Sequence, residues 1–434
     1  MEALPRRTLL AAGAATAATL VAGCSGKGGG SGGEQSPGPD HATGATDATG
    51  QGPKPLPVVT LIGDGSTSDT GAQPNQPAAE QLKLGERPPQ FVVFSWDGAG
   101  ELDNKLFSRF RQLAKEHNAG MTFFFSGVYA VPEGKKTLYR PPQHPIGASD
   151  IGYLTDEHIH ETLTQLGAAW LEGHEIGTHF NGHFCGPTGG AAWSPEDWDS
   201  EIEQAMSFVM NWKTNTGFDL PALPFDYRKE LIGSRTPCLE GQRGLLPTAV
   251  KRNWKYDSSG VGGLQVWPQK IQGGALWDMP LQSIPFPGHT FQVLSMDYNI
   301  MYNQSGSNTK GDPARRAAWQ TQARDSYLAG FERAYSTNRA PLIIGNHFEE
   351  WNGGIYMNAV EEVLKTIASR PEVRLVSFRQ LIEWLEVQDP AVLRKLQALP
   401  MGQAPTGGWA EYLGGPGPSP SNPPASAQVV PQPS

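Results

Sequence analysis

The sequence predicts an α/β fold in which parallel strands, joined by helical crossovers, curl into a barrel of seven or eight strands. Three observations carry this. Short apolar runs alternate with longer amphipathic ones through about 300 residues, the pattern of repeated strand–helix units. That stretch is long enough to bury a core, and the 52 glycines and 37 prolines of the 434-residue chain crowd into the ends around it. Polar residues also gather where the apolar runs stop, the edge at which parallel sheets and barrels carry their sites. Periodicity alone does not separate the barrel from an open sheet.

The elements follow in order. Phe91-Val92-Val93-Phe94 reads as a buried strand, and Leu102, Leu106, Phe110 and Leu113 place one apolar stripe on a helix from Leu102 to His117. Met121 to Phe125 is the next strand. Thr155 is an N-cap for a helix to Glu172, with Asp156 and Glu157 in its first turn. His174 to Gly177 is a short strand, and Ser194-Pro195-Glu196 opens a helix to about Lys213 with Pro at its first position. Leu231–Ser234 is strand-like, Thr248–Asn253 helical, and Trp254–Asp257 a strand. A strand at Val293–Met296, a helix from Pro313 to Thr337, a strand at Leu342–Ile344, a helix from Tyr356 to Ser369 and a strand at Val373–Val376 complete the series. Residues 130–153 and 260–290 break the rhythm and read as insertions.

Charge narrows the function classes. Lys+Arg 34 against Asp+Glu 43 gives a net charge of −9 and a pI near 5.6, so the chain is not expected to bind nucleic acid. Beyond the N-terminus no apolar run is long enough to span a bilayer, which excludes a multi-span protein. At the N-terminus, Arg6-Arg7 precedes an Ala-rich apolar stretch, as in a twin-arginine export signal. Leu20-Val21-Ala22-Gly23-Cys24 has the form of a lipobox, with Cys24 as the lipidated residue. The expected organisation is a signal peptide at 1–24, a disordered Gly/Ser/Pro/Thr-rich tether at 25–88, the barrel at 89–390 and a disordered Pro/Gly-rich tail at 391–434. The expected location is the outer face of a bacterial cytoplasmic membrane, reached through the lipid, with the protein a monomer. In that compartment the other two of the three cysteines, Cys185 and Cys238, are expected to form a disulfide.

Residues able to do chemistry stand at successive strand ends: Asp97, His179 and His183, Arg235, Asp257, Asp297 and His347. His179 and His183 are spaced i, i+4, which on a helix puts both imidazoles on one face and able to share a divalent metal. Asp97 is the natural carboxylate for that ion. Two imidazoles and a carboxylate leave positions open for water, as a hydrolase needs. His347, after a very apolar strand, is placed to act as an acid. Arg235 is placed to orient a carboxylate, with Asp297 a plausible partner. Trp193, Trp198, Trp267, Trp277 and Trp351, in the long segments, offer faces on which sugar rings stack, although core packing explains any one of them as well.

These motifs, in this order, resemble those of the NodB-homology polysaccharide deacetylases across roughly residues 90–386. His179-x-x-x-His183 after Gly173-His174-Glu175-Ile176-Gly177 is similar to that family's metal motif. Arg235-Thr236-Pro237 resembles its Arg-x-Pro motif, and Tyr256-Asp257-Ser258-Ser259 a strand end seen in many members. Leu342 to His347 resembles its Leu-x-x-His motif. The resemblance implies a distorted (β/α)7 barrel, a zinc-class divalent metal and removal of N- or O-acetyl groups from a polysaccharide or peptidoglycan-like glycan. It implies metal on Asp97, His179 and His183, His347 as the acid, and Arg235 and Asp297 holding the surrounding charges. It also puts the loops of Cys185 and Cys238 at the same pocket. The family's first motif, Thr-Phe-Asp-Asp-Gly, supplies a base and then a ligand, whereas Ser95-Trp96-Asp97-Gly98 has one carboxylate. Matching Asp97-Gly98 to the motif's end makes Asp97 the ligand. Matching Ser95-Trp96 to Thr-Phe makes Asp97 the base and leaves Gly98 where the ligand belongs. The first is preferred here, since a two-histidine site needs its carboxylate. Glu101, Asp257, Asp297 or Glu349 is left to fill the other role. Two further readings stay open: a degenerate deacetylase fold that binds glycan without turnover, and a two-carboxylate glycosidase using Asp97 and Glu349.

Overall fold

Gln90–Asp97 (β1) is the axis of the structure, a computed structural model that describes residues 59–414; the expected signal peptide and Cys24 lie outside the described residues. Every residue of β1 is buried, because the strand is covered on both faces. Its period of two sorts the side chains. Val92, Phe94 and Trp96 point out to the surrounding helices, whereas Phe91 and Val93 point into the barrel interior, with Ser95 and Asp97 above them on the same face.

Around β1 stand Thr122–Phe125 (β2), Glu175–Thr178 (β3), Gly233–Ser234 (β4), Tyr256–Asp257 (β5), Leu276–Asp278 (β6) and Leu342–His347 (β7). Their order is β7-β1-β2-β3-β4-β5-β6, and every neighbouring pair is parallel. No strand of the barrel sheet fills the gap between β6 and β7: Ser283–Pro285 and Gln292–Leu294, the latter at the strand expected at Val293–Met296, pair with each other as an antiparallel hairpin outside the barrel sheet, and single hydrogen bonds bridge the gap. Leu281 N donates to Gly260 O (3.1 Å), Ser295 N to Gln282 O (2.8 Å), and Gly345 N to Ser295 O (2.9 Å). The distorted seven-stranded α/β barrel that the resemblance implies is therefore present, with segment 279–296 in place of an eighth strand. Val373–Leu375 pairs with the start of β1, also in parallel.

The crossovers are Leu106–Glu116 (α1), Asp156–Leu171 (α2), Pro195–Met210 (α3), Gln242–Lys251 (α4), Asp297–Ser305 (α5), Arg316–Tyr335 (α6) and Trp351–Ala368 (α7). Thr155 caps α2 by accepting from His158 N. Ser194 forms a capping box with Asp197 at the start of α3, with Pro195 at the first position. Phe378–Val387 (α8) closes the bottom of the barrel: Trp384 packs 4.8 Å from Phe91, and Phe378 packs 4.9 Å from Tyr256, ring centre to ring centre. The polar strand-end residues gather at the opposite end, the C-terminal ends of the strands, which is the edge that carries sites in barrels; a wider cleft by the N-terminal ends is lined by Phe91, Val376, Gln380 and Trp384 among others. Among the described residues no helix is long and apolar enough to cross a membrane.

Several expectations are corrected. The segment read as an insertion at 260–290 contains β6; three residues are too few for a periodic signal. The helix expected from Thr248 begins at Gln242 and tolerates Pro247 inside it. The tether was expected to run to residue 88, yet Thr60–Ile62 and Thr67–Asp69 form a hairpin. That hairpin is held largely by polar groups: Trp212 Nε1 donates to Ser66 O at 2.7 Å and Ser68 Oγ to Leu223 O at 2.9 Å, and just beyond it the Gln73 amide reaches Trp170 O and His174 O. Beyond residue 390, Pro390–Gln397 and Gly408–Gly414 are helical, and Leu396 and Leu413 join the interior cluster. Trp193, Trp198, Trp267 and Trp277 are core residues; Trp351 alone of the five is partly exposed.

Gly233 shows how tightly the barrel wall is packed. A Cβ there would lie 2.1–2.4 Å from the Tyr256 ring. Gly233→Ala is expected to cost about 1–3 kcal/mol through overpacking, measured as a shift in the urea midpoint at constant slope; an unshifted midpoint would show that the wall yields.

Candidate active site

Asp97 ends β1 with its carboxylate facing the barrel axis. Arg235, just after β4, donates from Nη1 to Asp97 Oδ1 at 2.9 Å, and both side chains are almost fully buried. The guanidinium is fixed on every side. Its Nη1 also reaches Ser95 Oγ (2.9 Å), Nε reaches Ser258 O (3.1 Å), Nη2 reaches Ser258 Oγ (2.8 Å), and its plane lies 4.8 Å from the Phe124 ring centre. Burial alone would raise the Asp97 carboxyl, but Arg235, then His179 and His347, hold it below its ordinary value. It is an ionised carboxylate with one oxygen committed to a cation. Removing one partner of such a buried pair leaves the other uncompensated. Arg235→Ala is expected to destabilise the fold by about 3–5 kcal/mol, checked by chemical denaturation, and a loss under 1 kcal/mol would contradict this account.

His179 and His183 follow β3, and here the expected helix is absent. The segment is a loop with Phe180 at φ 60 and His183 at φ 58. Those two left-handed residues fold the chain back so that the imidazoles meet, 5.1 Å between ring centres. His179 Nδ1 lies 2.8 Å from the Arg235 carbonyl oxygen, which accepts only if that nitrogen carries the proton. Nε2 is then the lone-pair nitrogen. Burial, partly opposed by Asp97, pushes His179 down to about 3, and burial and then His347 lower His183. Both rings are neutral at pH 7.

A buried network not evident in the sequence braces this loop. Glu201, on α3, accepts from Tyr139 Oη (2.8 Å) and from Asn181 Nδ2 (2.8 Å), and Tyr139 Oη accepts from Gly182 N (3.1 Å). Glu201, Tyr139 and Asn181 are each fully buried. Burial pushes the Glu201 carboxyl up to about 7, against the two hydrogen bonds that lower it. The folded state then binds a proton more readily than the unfolded chain, so this group's contribution to stability falls as pH rises from its ordinary value through about 7. Urea denaturation at pH 5 and pH 8 should show that decline in wild type and a smaller one in Glu201→Gln; equal declines would remove Glu201 as its source.

His347 ends β7. Its Nδ1 lies 2.8 Å from Asp297 Oδ1 and its backbone N donates to Asp297 Oδ2 at 2.7 Å. Asp297 also accepts from Tyr298 N as the first residue of α5. Asp297 thus partners His347, not Arg235 as the sequence reading had it, because the hydrogen bond from Gly345 N to Ser295 O draws the start of α5 against β7. Burial would depress the imidazole, but Asp297, then Asp97 and Glu349, raise it to about 9.

One cavity of about 110 Å³ joins these groups. It is lined by Asp97, Gly98, Ser126, Tyr129, His179, His183, His347 and Glu349, among others. Arg235 and Asp297 are not in its wall; they are positioning residues one layer behind it. Of the residues left to supply the missing role, Glu101 accepts from Ser108 N and Oγ at the start of α1, Asp257 accepts from Ser259 N and Oγ, and Asp297 is taken by His347. Glu349 alone of them lines the cavity, at its exposed rim. Ser126 Oγ is buried there without a partner in the protein, and Trp351 stands 5.2 Å from the His347 ring.

The donor chemistry suits a divalent ion in part. Two neutral imidazoles, one with its tautomer fixed from behind, are ligands of the right kind. Asp97 does not complete a tight set with them: among the described residues, the group of three ligand atoms within 4.8 Å of one another is His183, Cys185 and Cys238. Trp96 is not part of the site; it packs outward against Phe110, Phe123 and Phe348. The expected disulfide joins Cys185 and Cys238 and ties the His183 loop to the Arg235 loop.

No protein-family model matches this chain, and no curated protein matches it. Solved structures do. A polysaccharide deacetylase of unproven activity from Mycobacterium smegmatis matches with a TM-score of 0.43 and 14% identity, over 71% of this chain and 94% of that one. An esterase of carbohydrate esterase family 4 from Streptococcus mutans matches with a TM-score of 0.37 and 11% identity, over 68% and 88%. A variant of a peptidoglycan deacetylase from Bacillus subtilis matches with a TM-score of 0.35 and 11% identity, over 69% and 92%. The chain is similar in fold to these three solved structures.

Proposed function

We propose that the protein is a hydrolase that removes acetyl groups from a glycan. The observation that carries the reading is the pairing of opposite proton-transfer groups across one small cavity: an ionised carboxylate, Asp97, held by Arg235, and an imidazolium, His347, held by Asp297. Environments that push two titratable groups apart in this way assign a base and an acid.

The chain's own residues then divide the work. Asp97 accepts a proton from water as its oxygen bonds to the acetyl carbonyl carbon. Arg235 keeps that carboxylate ionised and aimed. As the tetrahedral adduct collapses, the bond from carbon to the sugar nitrogen or oxygen breaks and His347 protonates the leaving atom, so that acetate and a free amine or hydroxyl result. Ser126 Oγ and Tyr129 line the cavity where substrate oxygens need partners. His179 and His183 would hold a zinc-class divalent ion, which supplies Lewis-acid polarisation of water and carbonyl when bound. In this assignment Asp97 is the base and Gly98 stands at the ligand position. The N-terminal signals fit the same reading: export, a lipid on Cys24 and a cell-envelope polysaccharide or peptidoglycan-like substrate met by a monomer at the outer face of the cytoplasmic membrane.

The second reading, glycan binding without turnover, is favoured by one observation, Gly98 in place of a second carboxylate. Acetate release separates the two. Incubation with N-acetylated and O-acetylated oligosaccharides is expected to liberate acetate, abolished by Asp97→Asn. Bound oligosaccharide with no acetate, at every zinc concentration tried, would leave the binding reading standing.

A further inference from the structure

Beside the cavity lies a second group of ligand-type atoms. His183 Nδ1 is 3.9 Å from Cys185 Sγ, and Cys238 Sγ, bonded to Cys185, lies with both inside 4.8 Å. The two cysteines have Cα atoms 6.0 Å apart. While the sulfurs are bonded to each other, neither is a thiolate. Once the bond is opened, the same atoms are two thiolates and an imidazole, a tetrahedral zinc donor set with one position free. Two sulfurs on one zinc stand about 3.8 Å apart, against about 2 Å in a disulfide. Each sulfur therefore has to move by about 1 Å, within reach of side-chain rotation. Cys238 is exposed and Cys185 partly so, which admits both reductant and ion.

We propose that Cys185, Cys238 and His183 form a redox-gated metal site, closed to cations as the disulfide and open to a zinc-class divalent ion after reduction. A phosphine reductant and water open it: the phosphine is oxidised to its oxide, the sulfur–sulfur bond breaks, and each sulfur takes a proton. Binding then displaces those two protons, because the thiolate is the ligand. The imidazole uses Nδ1 here, so its other nitrogen stays available to the cavity. Bond and ion have the same mechanical effect, since either ties the His183 loop to the Arg235 loop. The proposal rests on the cluster and not on the deacetylase reading, which can fail without it.

The test is cobalt titration of the full chain, oxidised and phosphine-reduced, under argon. The reduced protein is expected to take one equivalent at this site with an intense near-ultraviolet sulfur-to-cobalt band and the visible bands of a tetrahedral ion. The oxidised protein should lack the sulfur band, whatever cobalt the cavity histidines take. Cys185→Ser and Cys238→Ser should each abolish the sulfur band, and His183→Ala should weaken binding by about tenfold or more. A reduced protein without that band, or a band that survives Cys238→Ser, overturns the proposal. Should reduction loosen the fold, one equivalent of zinc is expected to restore the oxidised protein's melting temperature, and no restoration overturns it equally.

Discussion

His347→Gln is expected to lower kcat for acetate release by about 10²–10⁴-fold while leaving glycan binding nearly intact. The size follows from losing the proton donor to the leaving atom, and the pH profile shows the cause. Burial would make this imidazole a weak base, but the Asp297 carboxylate 2.8 Å from Nδ1 outweighs burial and, with Asp97 and Glu349, raises it to about 9. The folded state therefore prefers the protonated ring. Its contribution to stability is whole below the ordinary histidine value near 6.5 and is lost as pH rises through about 9. Activity that needs the imidazolium should persist through neutral pH and fall on the same alkaline limb. Asp297→Asn removes the charge and leaves burial in command, so the alkaline limb should move down in pH and kcat should suffer more at pH 8 than at pH 6. Rate profiles of the two proteins check this. An alkaline limb that stays in place in Asp297→Asn would remove His347 from the role of acid.

The sequence was most readable where one residue type does one job along a regular element. The apolar runs of β1, β2 and β7 announce strands covered on both faces, and Thr155 and Ser194 mark helix starts, because caps and periodicity are local properties. The strand-end position of Asp97, His179, Arg235 and His347 was legible for the same reason. What was not legible is who faces whom. His179 and His183 suggested a helix by their spacing, but two left-handed residues in a loop bring the rings together. Asp297 was assigned to Arg235 on charge alone; the start of α5 lies against β7, fifty residues away in sequence, and gives it to His347. The Glu201–Tyr139–Asn181 brace joins residues up to 62 apart that carry no shared pattern. β6 escaped because three residues carry no period. Trp277 in it reads as a sugar-stacking aromatic until the barrel buries it.

Gly98→Asp is expected to tighten zinc binding at the cavity by about tenfold or more and to raise acetate release. The geometry makes the substitution feasible. Gly98 has φ +65, a left-handed conformation that aspartate adopts more readily than most residues. The atoms nearest its Cβ would be Tyr129 Oη at 3.7 Å, Ser126 Oγ at 3.8 Å and Tyr129 Cε2 at 3.9 Å, ordinary contacts on the cavity wall. The backbone conformation costs about 1–3 kcal/mol, which a fold of this size bears. The gain is a second carboxylate on the cavity wall that His179 and His183 also line, while Asp97 stays with Arg235 as the base. Gly98→Asn carries the same strain without the charge and is the control. Calorimetric zinc titration of the three proteins should order them aspartate tightest, with asparagine and wild type alike, and acetate release should follow that order. If aspartate binds zinc no better than asparagine does, Gly98 is not the vacant ligand position and Asp97 must itself be the third ligand, its bond to Arg235 giving way when the ion arrives. The two assignments then separate in a second measurement. With Asp97 as base, Asp97→Asn keeps wild-type zinc affinity and loses turnover; with Asp97 as ligand, it loses both together.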